Sequence, residues 1–269
     1  MNVKDKLERL RKTIEPLESV LVAFSGGVDS TLLLKVCLDT LGKDNVLAVT
    51  AESETYPAEE IEGARQLALA MGARWKLIRT EELSNECFVS NPSDRCYYCK
   101  RELFSKLRGI ADDEGLKHVL DGSNLDDTGD WRPGMRAAEE LGVISPLKEA
   151  GLTKEDIRAI SRELGLPTWE KPSMACLASR FPYGYRITPQ ELRMVGEAER
   201  FLRKLGFKQV RVRHHGKLAR IEIDPNQIEK LASKEIRDKV SLKLKELGYV
   251  WIAMDLDGYR TGSLNEARP

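Results

Sequence analysis

Residues 24–31 read FSGGVDST. They join SVLVAF (19–24), an apolar run of strand type, to STLLLKVCLDTLG (30–42), a helix pattern that stops at Gly42. A loop in that place lies at the carboxyl edge of a strand, where open α/β sheets bind ligands. Paired glycines turn the backbone tightly. Amides and the hydroxyls of Ser25 and Ser30 at a helix start then form an anion cradle. No Gly-Lys-Ser/Thr ending makes it the common P-loop, and no third spaced glycine makes it a dinucleotide fingerprint. The plain alternative is a Gly-Gly turn that only links strand to helix.

Outward from the loop the same alternation repeats. NVLAVTA (45–51), RWKLIRT (74–80) and KHVLDG (117–122) read as strands, and PAEEIEGARQLALAMG (57–72) and KRELFSKLRGIADDEG (100–115) as helices, with Pro57 in a first turn. Strand–helix repetition at this spacing predicts an α/β fold, a doubly wound parallel sheet covered on both faces. GSNLDD (122–127) closes the fourth strand and brings Asp126 and Asp127 to the same edge, where hard oxygens suit magnesium; a polar turn is the bland reading. LTKEDIRAISRELG (152–165) reads as a helix with Thr153 as N-cap. After about 186 the texture changes to a long helix (188–206), a hairpin pattern (207–224), two short helices and a last strand near 249–255. The expected division is residues 1–185 and a smaller α+β domain, 186–269.

The 269 residues are 41% hydrophobic and 32% charged, with 43 Lys plus Arg against 43 Asp plus Glu. This is a globular composition with enough chain for a sizeable core, and its balance gives no general pull toward nucleic acid or a membrane. The opening MNVKDKLERLRKTIEPLESV has no apolar signal core, so a cytoplasmic location is expected. In that compartment paired cysteines more often bind metal or do chemistry than form disulfides.

Of five cysteines, Cys37 lies on an apolar helix face and reads as a core thiol, and Cys87 reads as structural. Cys96 and Cys99 in RCYYCK (95–100) sit three apart, with Cys176 about eighty positions on in SMACLASR. A structural zinc site wants four ligands, and the chain offers no second C-x-x-C and no spaced histidine pair. A thioredoxin-like pair would open a helix after a strand, whereas Cys96 is expected to follow a long loop. Three thiolates from two loops suit a 4Fe–4S cluster with one iron open to an outside ligand such as hydrosulfide; surface thiols of no consequence are the alternative. VRVR (210–213) places Arg211 and Arg213 on one strand face, suited to a phosphate or simply an exposed basic face.

FSGGVDST resembles the SGGxDS loop of the ATP pyrophosphatase (PP-loop) superfamily, whose members split ATP into AMP and pyrophosphate and adenylate an oxygen. With CYYCK, GSNLDDTGDWRPG, KPSMACLASRFPYG and DLDGYRTGSLNE, the chain from about 15 to 267 resembles the LarE family of sulfur transferases, which mature a nickel-pincer nucleotide cofactor. The resemblance implies a pyridinium dicarboxylate mononucleotide as substrate, with ATP activating each carboxylate and sulfur replacing the activated oxygen. It implies ATP contacts from Ser25, Gly26, Gly27, Val28, Asp29, Ser30, Ser53 and Asp126, with Asp29 helping to hold magnesium and pyrophosphate. It favours the phosphate role for Arg211 and Arg213, adds Ser179 and Arg180 near the sulfur-bearing loop, and sets Glu199 and Glu222 near substrate or metal. Homo-oligomers, typically hexamers, are implied as well. One branch of the family spends the sulfur of the cysteine matching Cys176; the other holds a 4Fe–4S cluster on three cysteines. The C-x-x-C here matches the cluster branch, with Cys96, Cys99 and Cys176 as ligands.

Three rivals remain: a transfer-RNA thiolase, an amidating ligase and a non-enzymatic iron–sulfur carrier. Five cysteines and a zero charge balance weigh against the first. The second leaves the loop cysteines unexplained, and the third has no use for the nucleotide loop.

Overall fold

The computed structural model describes residues 3–129, 133–172 and 175–260. Parts of three quoted motifs (130–132, 173–174 and 261–266) lie outside the described residues. The chain divides into two compact units, residues 1–82 with 94–174, and residues 83–93 with 175–269. The sequence division at 185/186 differs on two counts: the second unit begins at 175, and it takes in 83–93.

In the first unit the elements run α1 (Val3–Ile14), β1 (Val20–Ala23), α2 (Val28–Leu41), β2 (Val46–Glu52), α3 (Ala58–Ala70) and β3 (Arg74–Arg79). After α4 (Glu86–Val89), which belongs to the other unit, come α5 (Arg95–Asp113), β4 (His118–Leu120), α6 (Pro133–Glu140), α7 (Pro146–Glu149) and α8 (Lys154–Glu163). Among the described residues the strands lie in the order β3-β2-β1-β4, all parallel. Side chains alternate across a strand, and that alternation builds the two layers. Val20, Val22, Val46 and Ala48 face a core with α1, α2, α3, α7 and α8, whereas Leu21, Leu47 and Val49 face Phe104, Leu107 and Ala111 of α5. Both sheet faces are thus covered, as expected.

Strand order reverses at β1: the chain steps to β2 and β3 on one side and returns to β4 on the other. The loops after β1 and β4 therefore meet at the topological switch point, where such sheets place ligands. Thr153 caps α8 in a reciprocal box, its hydroxyl accepting from Asp156 N while Asp156 accepts from Thr153 N at 2.9 Å.

Two local expectations change. Pro57 is the N-cap of α3 rather than its first helical residue. The helix expected from 100 begins at Arg95, so Cys96 and Cys99 occupy the first turns of α5 instead of a preceding loop.

The second unit contains α9 (Pro189–Lys204), β5 (Val210–His215), β6 (Leu218–Ile223), α10 (Ile228–Ala232), α11 (Lys234–Glu246) and β7 (Trp251–Met254). β6 lies between β5, which is antiparallel to it, and β7, which is parallel. Val210 and Val212 of β5 pack with Ala198 and Leu202 of α9 and with Leu244 of α11. The 83–93 segment is sewn on by Asn91, fully buried with φ +54, whose side chain donates to Pro182 O at 2.7 Å and whose carbonyl accepts from Gly184 N. No helix among the described residues is long and apolar enough to cross a membrane.

Candidate functional site

The loop after β1 holds its own shape. The Ser30 hydroxyl donates to Gly27 O at 3.2 Å and lies 3.2 Å from the Ser25 hydroxyl, while Gly27 N points to Ser25 Oγ at 3.4 Å. Gly26 has φ +66, and a Cβ there would stand 3.0 Å from Ala64 of α3, so both conformation and space require glycine. Gly27 caps α2 without a side-chain hydrogen bond, and Val28, Asp29 and Ser30 open the helix. Their N–H groups are the ones an α-helix cannot satisfy internally, which is the donor arrangement that anions take.

Asp29 faces the β4 loop. Its carboxylate forms an ion pair with Lys154, the first residue of α8, and accepts from Asn124 Nδ2 at 3.3 Å. Asp126 accepts from Lys154 N at 2.8 Å, so both carboxylates converge on one lysine at the switch point. Asp127 instead holds the turn, accepting from Asn124 N. Gly122 lets the two loops touch: a Cβ there would lie 3.2 Å from Ser30 N. On the other side, Lys171 donates to Gly26 O at 3.0 Å and pairs with Glu60 of α3 at 2.8 Å. Ser53, at the end of β2, sends its hydroxyl to the buried Glu82 at 2.7 Å, beside Thr55. That hydroxyl is engaged within the fold.

In the second unit the face of β5 opposite its core carries guanidiniums. Arg211 and Arg213 lie on one side as the alternation predicts, and both are buried. Arg213 forms a two-pronged pair with Glu222 of β6, at 2.9 and 2.7 Å, and donates to Ser179 O at 2.8 Å. Arg180 does the same with Glu199 of α9, at 2.7 and 3.0 Å. Its remaining nitrogen reaches Ser179 Oγ at 2.7 Å and the carbonyl of Cys176 at 3.3 Å. Arg203 adds a contact to Glu199, and Arg220 bridges Glu222 and Asp255. Five guanidiniums thus meet three carboxylates, and the excess is positive. Burial alone would raise the Glu199 carboxyl, but the guanidiniums of Arg180, Arg211 and Arg203 outweigh it and hold it below the usual range. Arg211, over the ring of Tyr259, is pushed down to about 10 by burial and then by the nearby Arg180 charge.

The five cysteines are all thiols. Cys37 is fully buried in the first core, and burial pushes its thiol up, as a core role requires. Cys87 is exposed on α4. Cys96 is exposed and Cys99 half-buried, three residues apart on α5 and so on one helix face. Cys176 is half-buried, ahead of the short turn Leu177–Arg180 in the second unit. Among the described residues no group of three His, Cys, Asp or Glu side chains is gathered around a metal position. Cys96 and Cys99 are soft donors on one helix face, the ligand type that iron–sulfur clusters take. The hard oxygens of Asp29, which meets the Lys154 ammonium, and of Asp126, which meets the Lys154 backbone N–H, are of the kind that magnesium takes.

Sequence reading missed Lys154, Asn124 and Lys171. Lys154 carried a signal, since it follows the N-cap of a helix aimed at the switch point. Asn124 and Lys171 lie within GSNLDD and KPSMACLASRFPYG, but their partners Asp29 and Gly26 are remote in sequence.

The sequence matches the NAD synthase family over residues 3–106, which takes in the nucleotide loop but neither Cys176 nor the guanidinium face. An uncharacterized protein of Synechocystis is 44% identical over 98% of this chain and 98% of its own length. The pyridinium-3,5-bisthiocarboxylic acid mononucleotide synthase of Lactiplantibacillus plantarum is 42% identical over 97% of this chain and 94% of its own. An uncharacterized protein of Methanocaldococcus jannaschii is 29% identical over 97% of this chain and 95% of its own. The second of these is alike over nearly the whole of both chains: the chain belongs to the LarE family of ATP-dependent sulfurtransferases, within the PP-loop superfamily.

Proposed function

We propose that the protein converts pyridinium-3,5-dicarboxylate mononucleotide to its thiocarboxylates at the expense of ATP. A carboxylate resists attack because its leaving group would be oxide. In the first step a carboxylate oxygen bonds to the α-phosphorus of ATP and pyrophosphate leaves. In the second a sulfur nucleophile bonds to the carboxyl carbon and AMP leaves with the former oxygen, giving one thiocarboxylate per ATP.

The chain's residues take up roles in this reading. The loop amides of Gly26, Gly27 and Val28, with Ser25 and Ser30, hold the departing pyrophosphate, and Lys154 offsets its charge. Magnesium held by Asp29 and Asp126 would supply the rest of that charge compensation. Ser53 contributes to the adenosine side through its backbone, since its hydroxyl belongs to Glu82. Arg211 and Arg213 bind the mononucleotide phosphate, with Ser179 and Arg180 orienting the substrate. Glu199 and Glu222 keep the guanidinium planes in place.

A 4Fe–4S cluster on Cys96, Cys99 and Cys176 would supply sulfide to the activated carbon. The enzyme works as a cytoplasmic homo-oligomer in this reading. The observation that supports the proposal is that Arg180 donates to the Cys176 carbonyl and the Ser179 hydroxyl, and Arg213 to the Ser179 carbonyl, which ties the backbone of the Cys176 segment to the guanidinium face. The test is the mass of the protein before and after turnover, with iron analysis of anaerobically purified material. An unchanged mass and about four irons per chain support the cluster. A loss of hydrogen sulfide from the protein would instead make Cys176 the sacrificed donor.

A further inference from the structure

The peptide joining Gly26 to Gly27 decides what the loop offers an anion. A trans peptide points its C=O and N–H in opposite directions. Here Gly26 O accepts from Lys171, while Gly27 N–H is turned to the Ser25 hydroxyl. Because both flanking residues lack Cβ, rotation of this peptide meets little steric resistance. Turned half a circle, it would present a carbonyl, the negative end of the dipole, to a ligand that needs N–H donors.

Lys171 is itself held from two directions. Its ammonium meets Glu60 at 2.8 Å in the first turn of α3, the helix whose Ala64 abuts Gly26. Its carbonyl accepts from Arg158 of α8 at 2.8 Å, and the same guanidinium also bonds Trp169 O. An ammonium so fixed on a carbonyl resists the flip with a charge-assisted hydrogen bond, stronger than a neutral one.

We propose that Lys171 is a positioning residue whose ammonium pins the Gly26–Gly27 peptide with its N–H toward the anion. The inference rests on the nucleotide reading of the loop and deepens it.

The test titrates magnesium pyrophosphate into the full-length protein by calorimetry and follows the Gly27 amide by NMR. Lys171→Met is expected to weaken binding about tenfold and to shift or split the Gly27 signal, whereas Lys171→Arg stays within about threefold with an unmoved signal. Glu60→Gln, which keeps the ammonium but loosens it, shifts the Gly27 signal part of the way and carries the test if the Met variant does not fold. Pyrophosphate binding of Lys171→Met equal to that of the natural protein overturns the proposal. So does weakened binding with an unmoved Gly27 signal, which means that the lysine touches the anion itself. A natural protein that takes up no pyrophosphate removes the nucleotide reading and this inference together, an outcome distinct from the other two.

Discussion

The loop at 24–30 and the guanidinium face of β5 are built from opposite materials. The loop works with backbone dipoles and hydroxyls on a sheet edge, and its acid, Asp29, is already matched by Lys154. The β5 face works with full charges taken out of water, Arg180 and Glu199 being 1% and 0% exposed. Dipoles of a short turn cost the fold little and are easily disturbed. A buried charge that loses its partner keeps its desolvation penalty. Damage to the β5 face should therefore appear as lost stability, and damage to the loop mainly as lost chemistry.

The sharpest way to break that contrast is Glu199→Ala. It leaves Arg180 buried beside Arg211 without its carboxylate, and the expected loss is about 3–5 kcal/mol in urea unfolding. A loss under about 1 kcal/mol would mean that the pair is not closed to water. Next comes Gly26→Ala, which forces φ +66 on a residue with Cβ and presses it on Ala64 at 3.0 Å. We expect about 1–3 kcal/mol of destabilisation, with pyrophosphate release falling further than the unfolded fraction explains. Thr153→Ala removes half of the box on α8 and should cost about 1 kcal/mol. Because Lys154 is the next residue, the KM for ATP should rise more than kcat falls.

The pH dependence of the second unit sharpens the comparison further. His214, between the hydroxyls of Tyr185 and Tyr249, has its ring pKa lowered by burial, with Glu191 opposing. The unfolded chain then binds the proton more readily, so His214 stabilises the fold above about pH 6.5 and this contribution is lost on acidification below it. Tyr185 is pushed up to about 12 by burial and Glu191. Its contribution is present below about pH 10 and is lost as pH rises from there toward 12. Unfolding free energy measured at pH 5, 8 and 11 should peak at the middle value. His214→Phe should flatten the acid side.

Much of the first unit was legible because its signals are local. Apolar runs of strand length alternate with helical periods, and the glycine pair marks the turn between them. The start of α5 was not, because RCYYC shows no apolar period and its N-cap, Asp94, makes no side-chain capping bond. Membership of 83–93 in the second unit rests on Asn91 and Val89 bonding to chain nearly a hundred residues away, which no local pattern encodes. On β5 the alternation gave the shared face of Arg211 and Arg213 but not their burial. One signal was available and unread: Glu199 occupies the buried stripe of α9 formed by Leu192, Val195 and Leu202, a position where an acid demands a partner.

The most direct test of the account measures pyrophosphate release and product mass together, in anaerobic reactions with ATP, magnesium and a sulfide source. With pyridinium-3,5-dicarboxylate mononucleotide present, release of pyrophosphate should depend on that substrate, and the product should gain mass by exchange of oxygen for sulfur. Pyrophosphate released equally without the mononucleotide, or sulfur found on transfer RNA in its place, would contradict the assignment.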